Sequence, residues 1–399
     1  MTAHRPNIYA PEIWNDPHPF YASLRREEPV RQVDPGGLWA VTRHEDVLQV
    51  LKNPQIFSAA GLRAAVQPGW LQQRNPVVDT ILVMDPPQHT RLRSLITRTF
   101  SAPGVARLEP SIRASAESIV EDMLARRRVD FVASMALTLP SRAMSALLGV
   151  DAALAPRFKG WADAVTQVGM TPADAPEERK AQLVAALEDL KHHLTALIEM
   201  RRRQPGPDVT TDLLQAQAQG GVMSDDELLG YLVLLLVAGL ETTYDLLGIC
   251  GLILADKPDV WARLKKDRTL VPRFVEEALR FESPSQSTMR ITTQETELGG
   301  VKVPQGAIVL VQLVSANRDE SVFRDAQRFD LDRGTPHLAF GQGIHFCVGA
   351  PLARLEARLA LEVLLERCDR LVREPGPVMW NMAVTTRGLA ALPLELFPA

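Results

Sequence analysis

The segment Phe340-Gly-Gln-Gly-Ile-His-Phe-Cys347-Val-Gly349 concentrates more reactive chemistry than any other stretch of the chain. Gly341 and Gly343 begin a G-x-G pattern. A dinucleotide fingerprint would need glycine where Phe346 stands, and no clear strand feeds the loop. His345 and Cys347 have no companion Cys/His cluster, so a zinc site is poorly supported. A buried inert thiol is the bland alternative, and for an arbitrary cysteine it would usually win. The surroundings of Cys347 differ from that case. Two glycines let backbone approach a flat group closely, and the cysteine stands just before a strong helix. A thiolate there gains from the partial positive charge and free N–H groups of the helix N-terminus. Single axial thiolate ligation of haem iron is a chemistry that uses this arrangement.

Three further constellations could work with such a loop. Ala238-Gly239-Leu240-Glu241-Thr242-Thr243 closes an apolar run with an acid and two hydroxyls, and its glycine and threonines are locally poor helix residues. Alone, it would read as ordinary helix with Glu241 turned to solvent. Glu277-Ala-Leu-Arg280 sets a carboxylate and a guanidinium at i and i+3, a pair that on most helices is exposed and worth little. His89, Arg93, Arg290 and His345 have the chemistry to meet a buried dianion, and His89 and Arg93 share one helix face. Singly, each reads equally well as a solvated surface group.

Taken together, these segments resemble the cytochrome P450 superfamily. Every fixed position of its F-G-x-G-x-H-x-C-x-G signature is present, and the likeness runs over roughly Asp85 to Gly349. The resemblance implies Cys347 as metal ligand to the iron of haem b (iron protoporphyrin IX). It implies Thr242 and Glu241 as the catalytic pair. The cofactor-binding set it implies is His89, Arg93, Ala238, Gly239, Arg290, Phe340, His345, Cys347 and Gly349. In similar enzymes the small pair, here Ala238-Gly239, leaves room for dioxygen, the threonine hydrogen-bonds it, and the acid brings protons from solvent. O–O cleavage consumes two protons, and electrons that outrun them leave as peroxide. Thiolate donation favours the same cleavage. By the same resemblance Glu277 and Arg280 form a buried network with Arg328, shaping the haem's proximal side, while His89, Arg93, Arg290 and His345 hold the propionates. Arg91 and Arg98 are left over and are expected to face solvent.

Helices must do most of the positioning. Ser224-Asp-Asp-Glu227 fits a capping box and predicts a long helix, carrying Glu241 and Thr242, to about Ala255. A second long helix is expected from Pro176 to Arg203, and a last one after Cys347. Val30 to Thr42 reads as a hairpin turning at Asp34-Pro35-Gly36-Gly37, and Thr292 to Val314 as strands and turns. Pro17-His18-Pro19, Pro86-Pro87 and Pro205-Gly206-Pro207 separate elements rather than domains. The expectation is a mainly α protein with a small β region. The resemblance makes it a single triangular, helix-rich P450 domain over residues 1–399, with haem buried between two long helices.

Composition bounds the function. Among 399 residues, 46% are hydrophobic and 23% charged, enough for a large core and against disorder. With 44 basic against 48 acidic residues, nucleic acid is disfavoured as a bulk electrostatic partner, a local basic patch aside. Three cysteines without a C-x-x-C pair argue for a reducing, cytoplasmic setting. The N-terminus shows no apolar leader or anchor, and the run Leu228 to Leu240 falls short of the ~20 residues a membrane span requires. A soluble monomer is therefore expected.

The function so implied is a monooxygenase inserting one oxygen atom into a C–H or double bond of a hydrophobic small molecule. That molecule would be terpenoid, steroid, fatty-acid or polyketide-like. Electrons are expected from a separate ferredoxin served by an NAD(P)H reductase. A peroxygenase is the first alternative, although in the family such enzymes typically lack the acid–threonine pair. A haem sensor or carrier is the second, and it would need no proton delivery. Expected pocket walls are Ser58 to Val83, Trp161–Pro176, Leu234 with Val237, Ser285-Gln-Ser-Thr288, and Val384-Thr385.

Overall fold

A computed structural model describes residues 5–97, 99–220, 223–383 and 385–399. Six helices matter to the site: α1 (Gln88–Thr97), α2 (Ala155–Val168), α3 (Glu177–Arg203), α4 (Asp225–Asp256), α5 (Val271–Phe281) and α6 (Ala350–Arg367). The strands that frame them are β1 (Val30–Val33), β2 (Leu38–Val41), β3 (Phe57–Ser58), β4 (Ser287–Thr292), β5 (Ile308–Gln312), β6 (Trp380–Met382) and β7 (Arg387–Leu389).

The start of α4 follows from its cap. Ser224 Oγ accepts from the Glu227 N–H at 3.1 Å, and Glu227 Oε2 accepts from the Ser224 N–H at 2.8 Å. Two amide donors left over at the helix start are thus satisfied reciprocally. By length and composition α4 could cross a bilayer, but 67% of its most apolar window is buried inside the fold. A helix apolar nearly all round needs a core on every side. Here α2, α3, α5, α6 and the Thr138–Leu148 helix supply that core.

The β region is minor, as expected. Its main sheet has the order β1-β2-β5-β4-β3, and the predicted hairpin pairs Val30 with Val41 through to Val33 with Leu38. β2 and β5 run parallel, whereas β4 and β5 are antiparallel with Arg290 opposite Val309. β4 begins at Ser287, before the expected Thr292. Its Ser-Thr-Met-Arg start lacks apolar alternation because two of these residues face a cavity rather than a core.

Candidate active site

Between α4 and the loop preceding α6 lies a cavity of about 310 Å³. Ala238, Gly239 and Thr242 line it from α4, and Arg290 from β4. Arg93 reaches it from α1, and Phe340, His345, Cys347 and Gly349 from the loop. His89 stands immediately behind His345, their ring centroids 4.5 Å apart. Nine of the residues singled out in the sequence therefore meet at one chamber, although they come from four distant segments. Glu241 faces an adjoining cleft.

The loop geometry explains its glycines. Gly343 has φ +76, and a Cβ there would lie 2.4 Å from the Leu51 carbonyl oxygen, so no side chain fits. Cys347 N–H donates to the Phe340 carbonyl at 2.9 Å, which closes the loop. Burial pushes the Cys347 thiol up. The N–H groups of Gly349 and Ala350, with Arg93 and Arg354, pull it back down. The sulfur thus meets free amides at the start of α6, the setting in which a thiolate is stabilised. Cys250 and Cys368 are buried in the core, where burial alone drives the first thiol up and burial, opposed by Lys265, moves the second to about 12.

Arg93 and Arg290 crowd one rim, and among the described residues neither makes an ion pair. Arg290 is 6% exposed, and burial lowers it to about 10, with Asp85 opposing. Asp85 itself accepts from the Ser58 hydroxyl and the Ala59 N–H. His345 falls to about 3, first through burial and then through Arg290, His89 and Arg93. Among the described residues, both ring nitrogens of His89 and Nε2 of His345 are buried without a hydrogen-bond partner. Buried polar atoms left so are costly unless a ligand completes them. A flat group carrying two carboxylates would offer acceptors at this rim, and Cys347 would offer its metal a thiolate, so the residues fit haem.

On the opposite wall, Thr242 Oγ1 donates to the Ala238 carbonyl at 2.9 Å, an i−4 back-bond that competes with helix geometry. A Cβ on Gly239 would lie 2.6 Å from Met144 Sδ, so this glycine also serves close helix packing. Glu241 Oε1 accepts from Thr386 Oγ1 at 3.1 Å, and burial raises its carboxyl above the usual range. Glu241 opens into a cleft of about 670 Å³ that it shares with Lys159, Asp163, Asp245 and Thr386.

Residues 12–389 match the family model for Cytochrome P450. The chain is a cytochrome P450. It is 38% identical over 397 residues to the cytochrome P450 monooxygenase PikC of Streptomyces venezuelae, covering 95% of this chain and 91% of PikC. Its fold is similar to that of CYP109Q5 from Chondromyces apiculatus, with a TM-score of 0.90, 37% identity and 98% of both chains covered. It is also similar to CYP109E1 from Bacillus megaterium in complex with testosterone, with a TM-score of 0.87, 30% identity and 96% and 98% coverage. As a P450, this enzyme is a monooxygenase that uses haem with a cysteine thiolate ligand, acts on a small molecule and draws electrons from a redox partner.

Within this P450 the structural clamp departs from expectation. Arg280 and Glu277 pair as foreseen, through hydrogen bonds of 2.7 and 2.8 Å, both side chains buried. The third member is Arg333, not Arg328. Arg333 Nε lies 3.3 Å from Glu277 Oε1 with its side chain 7% exposed. The Arg328 side chain is exposed, and only its carbonyl joins, accepting from Arg280 and Arg333. Both arginines sit in a stretch without helix or strand, so no periodicity could say which one turns inward.

Other expectations divide similarly. Ile81, Leu82, Leu234, Ser285 and Thr288 line the main cavity of the P450, and Thr166, Gln167 and Met170 line the cleft. Gln286 is buried and structural, its amide donating to the Ser283 carbonyl at 2.6 Å. Val237 packs on the core. Arg91, expected to face solvent, pairs with the cap residue Glu227. Arg98 and Val384 lie outside the described residues. Thr386 and Lys159 were missed because hydroxyls and lysines in loops and on helix faces are too common to signal anything alone.

Proposed function

We propose that this P450 inserts one atom of dioxygen into a C–H or double bond of a hydrophobic small molecule, with Cys347 as the haem ligand. The observation that carries the reading is the placement of Cys347, at the N-terminus of α6, in the same chamber as Thr242. Haem supplies dioxygen activation when bound. The chain does the rest. Arg93, Arg290 and His345, backed by His89, hold the two propionates through charge-assisted hydrogen bonds. Phe340 and Gly349 would lie against the bound haem, and Ala238 and Gly239 would leave room beside it on α4. The Thr242 hydroxyl, now donating to the Ala238 carbonyl, would hold a proton at the chamber, and Glu241 would exchange protons between Thr242 and the cleft.

Leu82, Leu234, Leu246 and Pro284 give the distal chamber apolar walls, and Ser285 and Thr288 add hydroxyls. That lining suits an apolar body with a polar handle. Steroid-like, terpenoid, fatty-acid and polyketide-like molecules share that chemistry, and the testosterone bound to CYP109E1 supports it. The enzyme acts as one domain over residues 1–399, as a cytoplasmic monomer. Its electron donor is a ferredoxin served by an NAD(P)H reductase. Arg273, beside the start of α6 in a groove where Arg354 and Arg358 pair with Glu276 and Glu109, suits an acidic partner.

The test has two parts. The reduced enzyme under carbon monoxide should give the red-shifted absorption of thiolate-bound haem, and Cys347→Ala should abolish it. Substrate should be consumed with ferredoxin, reductase and NAD(P)H. Product with peroxide alone would point to a peroxygenase, and no product across a broad panel to a sensor or carrier.

A further inference from the structure

Asp245 lies one turn beyond Glu241 on α4 and three residues past Thr242, so it neighbours both. It is 3% exposed and, among the described residues, makes no ion pair. Its carboxyl borders the same cleft as Glu241, Lys159 and Asp163. β7 makes room for it, because a Cβ on Gly388 would lie 1.6 Å from Asp245 Oδ1. The strand therefore offers bare backbone where any side chain would displace the acid. Among the described residues, the charged groups bordering the cleft with Asp245 are Glu241 on its own helix, Lys159 and Asp163 on α2, which are ion-paired to each other, and Arg179 on α3. A buried carboxyl without a partner is held neutral. Burial first, then Glu241, raises Asp245 well above the usual carboxylate range, with Lys159 opposing.

We propose that Asp245 is the proton-holding partner of Glu241. Asp245 keeps a proton at neutral pH and passes it to the Glu241 carboxylate each time Glu241 gives its own up toward Thr242. Asp245 is left ionised and is reprotonated from water in the cleft. The inference rests on the Glu241–Thr242 reading above, and it makes Asp245 a positioning residue that acts through Glu241.

Infrared spectroscopy of the resting haem-loaded enzyme at neutral pH reads the proton directly. Buried Glu356 also carries a proton at this pH, so the readout is the parent-minus-Asp245→Asn difference spectrum, which should contain a protonated-carboxyl band that shifts in heavy water. That variant preserves side-chain shape, so its carbon monoxide spectrum and substrate-induced spin shift should match the parent. Product formed per NAD(P)H should fall several-fold, with a larger solvent isotope effect, and Asp245→Glu should restore part of the loss. Gly388→Ala, which moves the carboxyl without removing it, should uncouple in the same direction. Absence of that difference band, or unchanged coupling and isotope effect in Asp245→Asn, overturns the inference. Glu241→Gln separates the two levels. If it couples normally, the parent reading fails and the relay with it. If it uncouples while Asp245→Asn does not, this inference alone fails.

Discussion

Arg333 Nε stands 3.3 Å from Glu277 Oε1, completing a cluster on a carboxylate that Arg280 already grips. Arg333 also donates to the carbonyls of Arg324, Asp325 and Arg328. One guanidinium thereby ties the irregular segment before the cysteine loop to α5. Its partner Arg280 is 1% exposed and donates to the Asn317 and Ala326 carbonyls.

Arg333→Ala should therefore destabilise the enzyme by about 1–3 kcal/mol, since the buried Glu277 carboxylate loses one donor and three exposed carbonyls lose theirs, while Arg280 still neutralises Glu277. Glu277→Ala should cost more, about 3–5 kcal/mol, because it strands a buried charge. Arg328→Ala should stay within about 0.5 kcal/mol. Chemical unfolding of the three variants, with haem content measured alongside, checks the order. Equal losses for Arg328→Ala and Arg333→Ala would refute it.

Thr242→Ala removes a hydroxyl without disturbing the rim that holds haem. The variant should retain the carbon monoxide spectrum and NAD(P)H consumption. Product formation should fall about 100-fold or more, the low end of what a positioned proton donor contributes. The missing electrons should appear as hydrogen peroxide, quantified against NAD(P)H oxidised. Unchanged coupling would remove the role assigned to this residue.

Arg273 is exposed at the groove beside the start of α6, well away from the distal chamber. Reversing its charge with Arg273→Glu should slow association with an acidic ferredoxin and flatten the salt dependence of that rate. Substrate binding and the haem spectrum should not change. Stopped-flow reduction at several ionic strengths is the measurement, and a rate equal to the parent's at low salt would exclude this face.

Glu356 on α6 is 0% exposed, and among the described residues neither carboxyl oxygen has a hydrogen-bond partner. Burial raises it from the ordinary 4.5 to about 8. Below the ordinary value both folded and unfolded chains carry the proton, and the contribution to stability is complete. As pH climbs toward 8 only the folded chain retains it, so stability declines by about 1.4 kcal/mol per pH unit and then levels. Glu356→Gln should abolish that decline, so its advantage in Tm should widen from pH 5 to pH 8. Parallel melting curves for the two proteins would show the carboxyl to be paired.

Residue types and spacing alone determined the cysteine loop, the capped helix carrying Glu241 and Thr242, and the first hairpin. Each is written in short-range chemistry: a cap closes within three residues, a helix face repeats every three or four, and a tight loop demands glycine where it is needed. Tertiary structure decided what depends on segments meeting across the chain. It chose Arg333 over Arg328, placed Thr386 against Glu241, buried Gln286 as scaffold, and set Asp245 against the bare backbone of Gly388. Those outcomes rest on how irregular segments fold back onto the helices, and no local periodicity encodes which side chain such a segment turns inward.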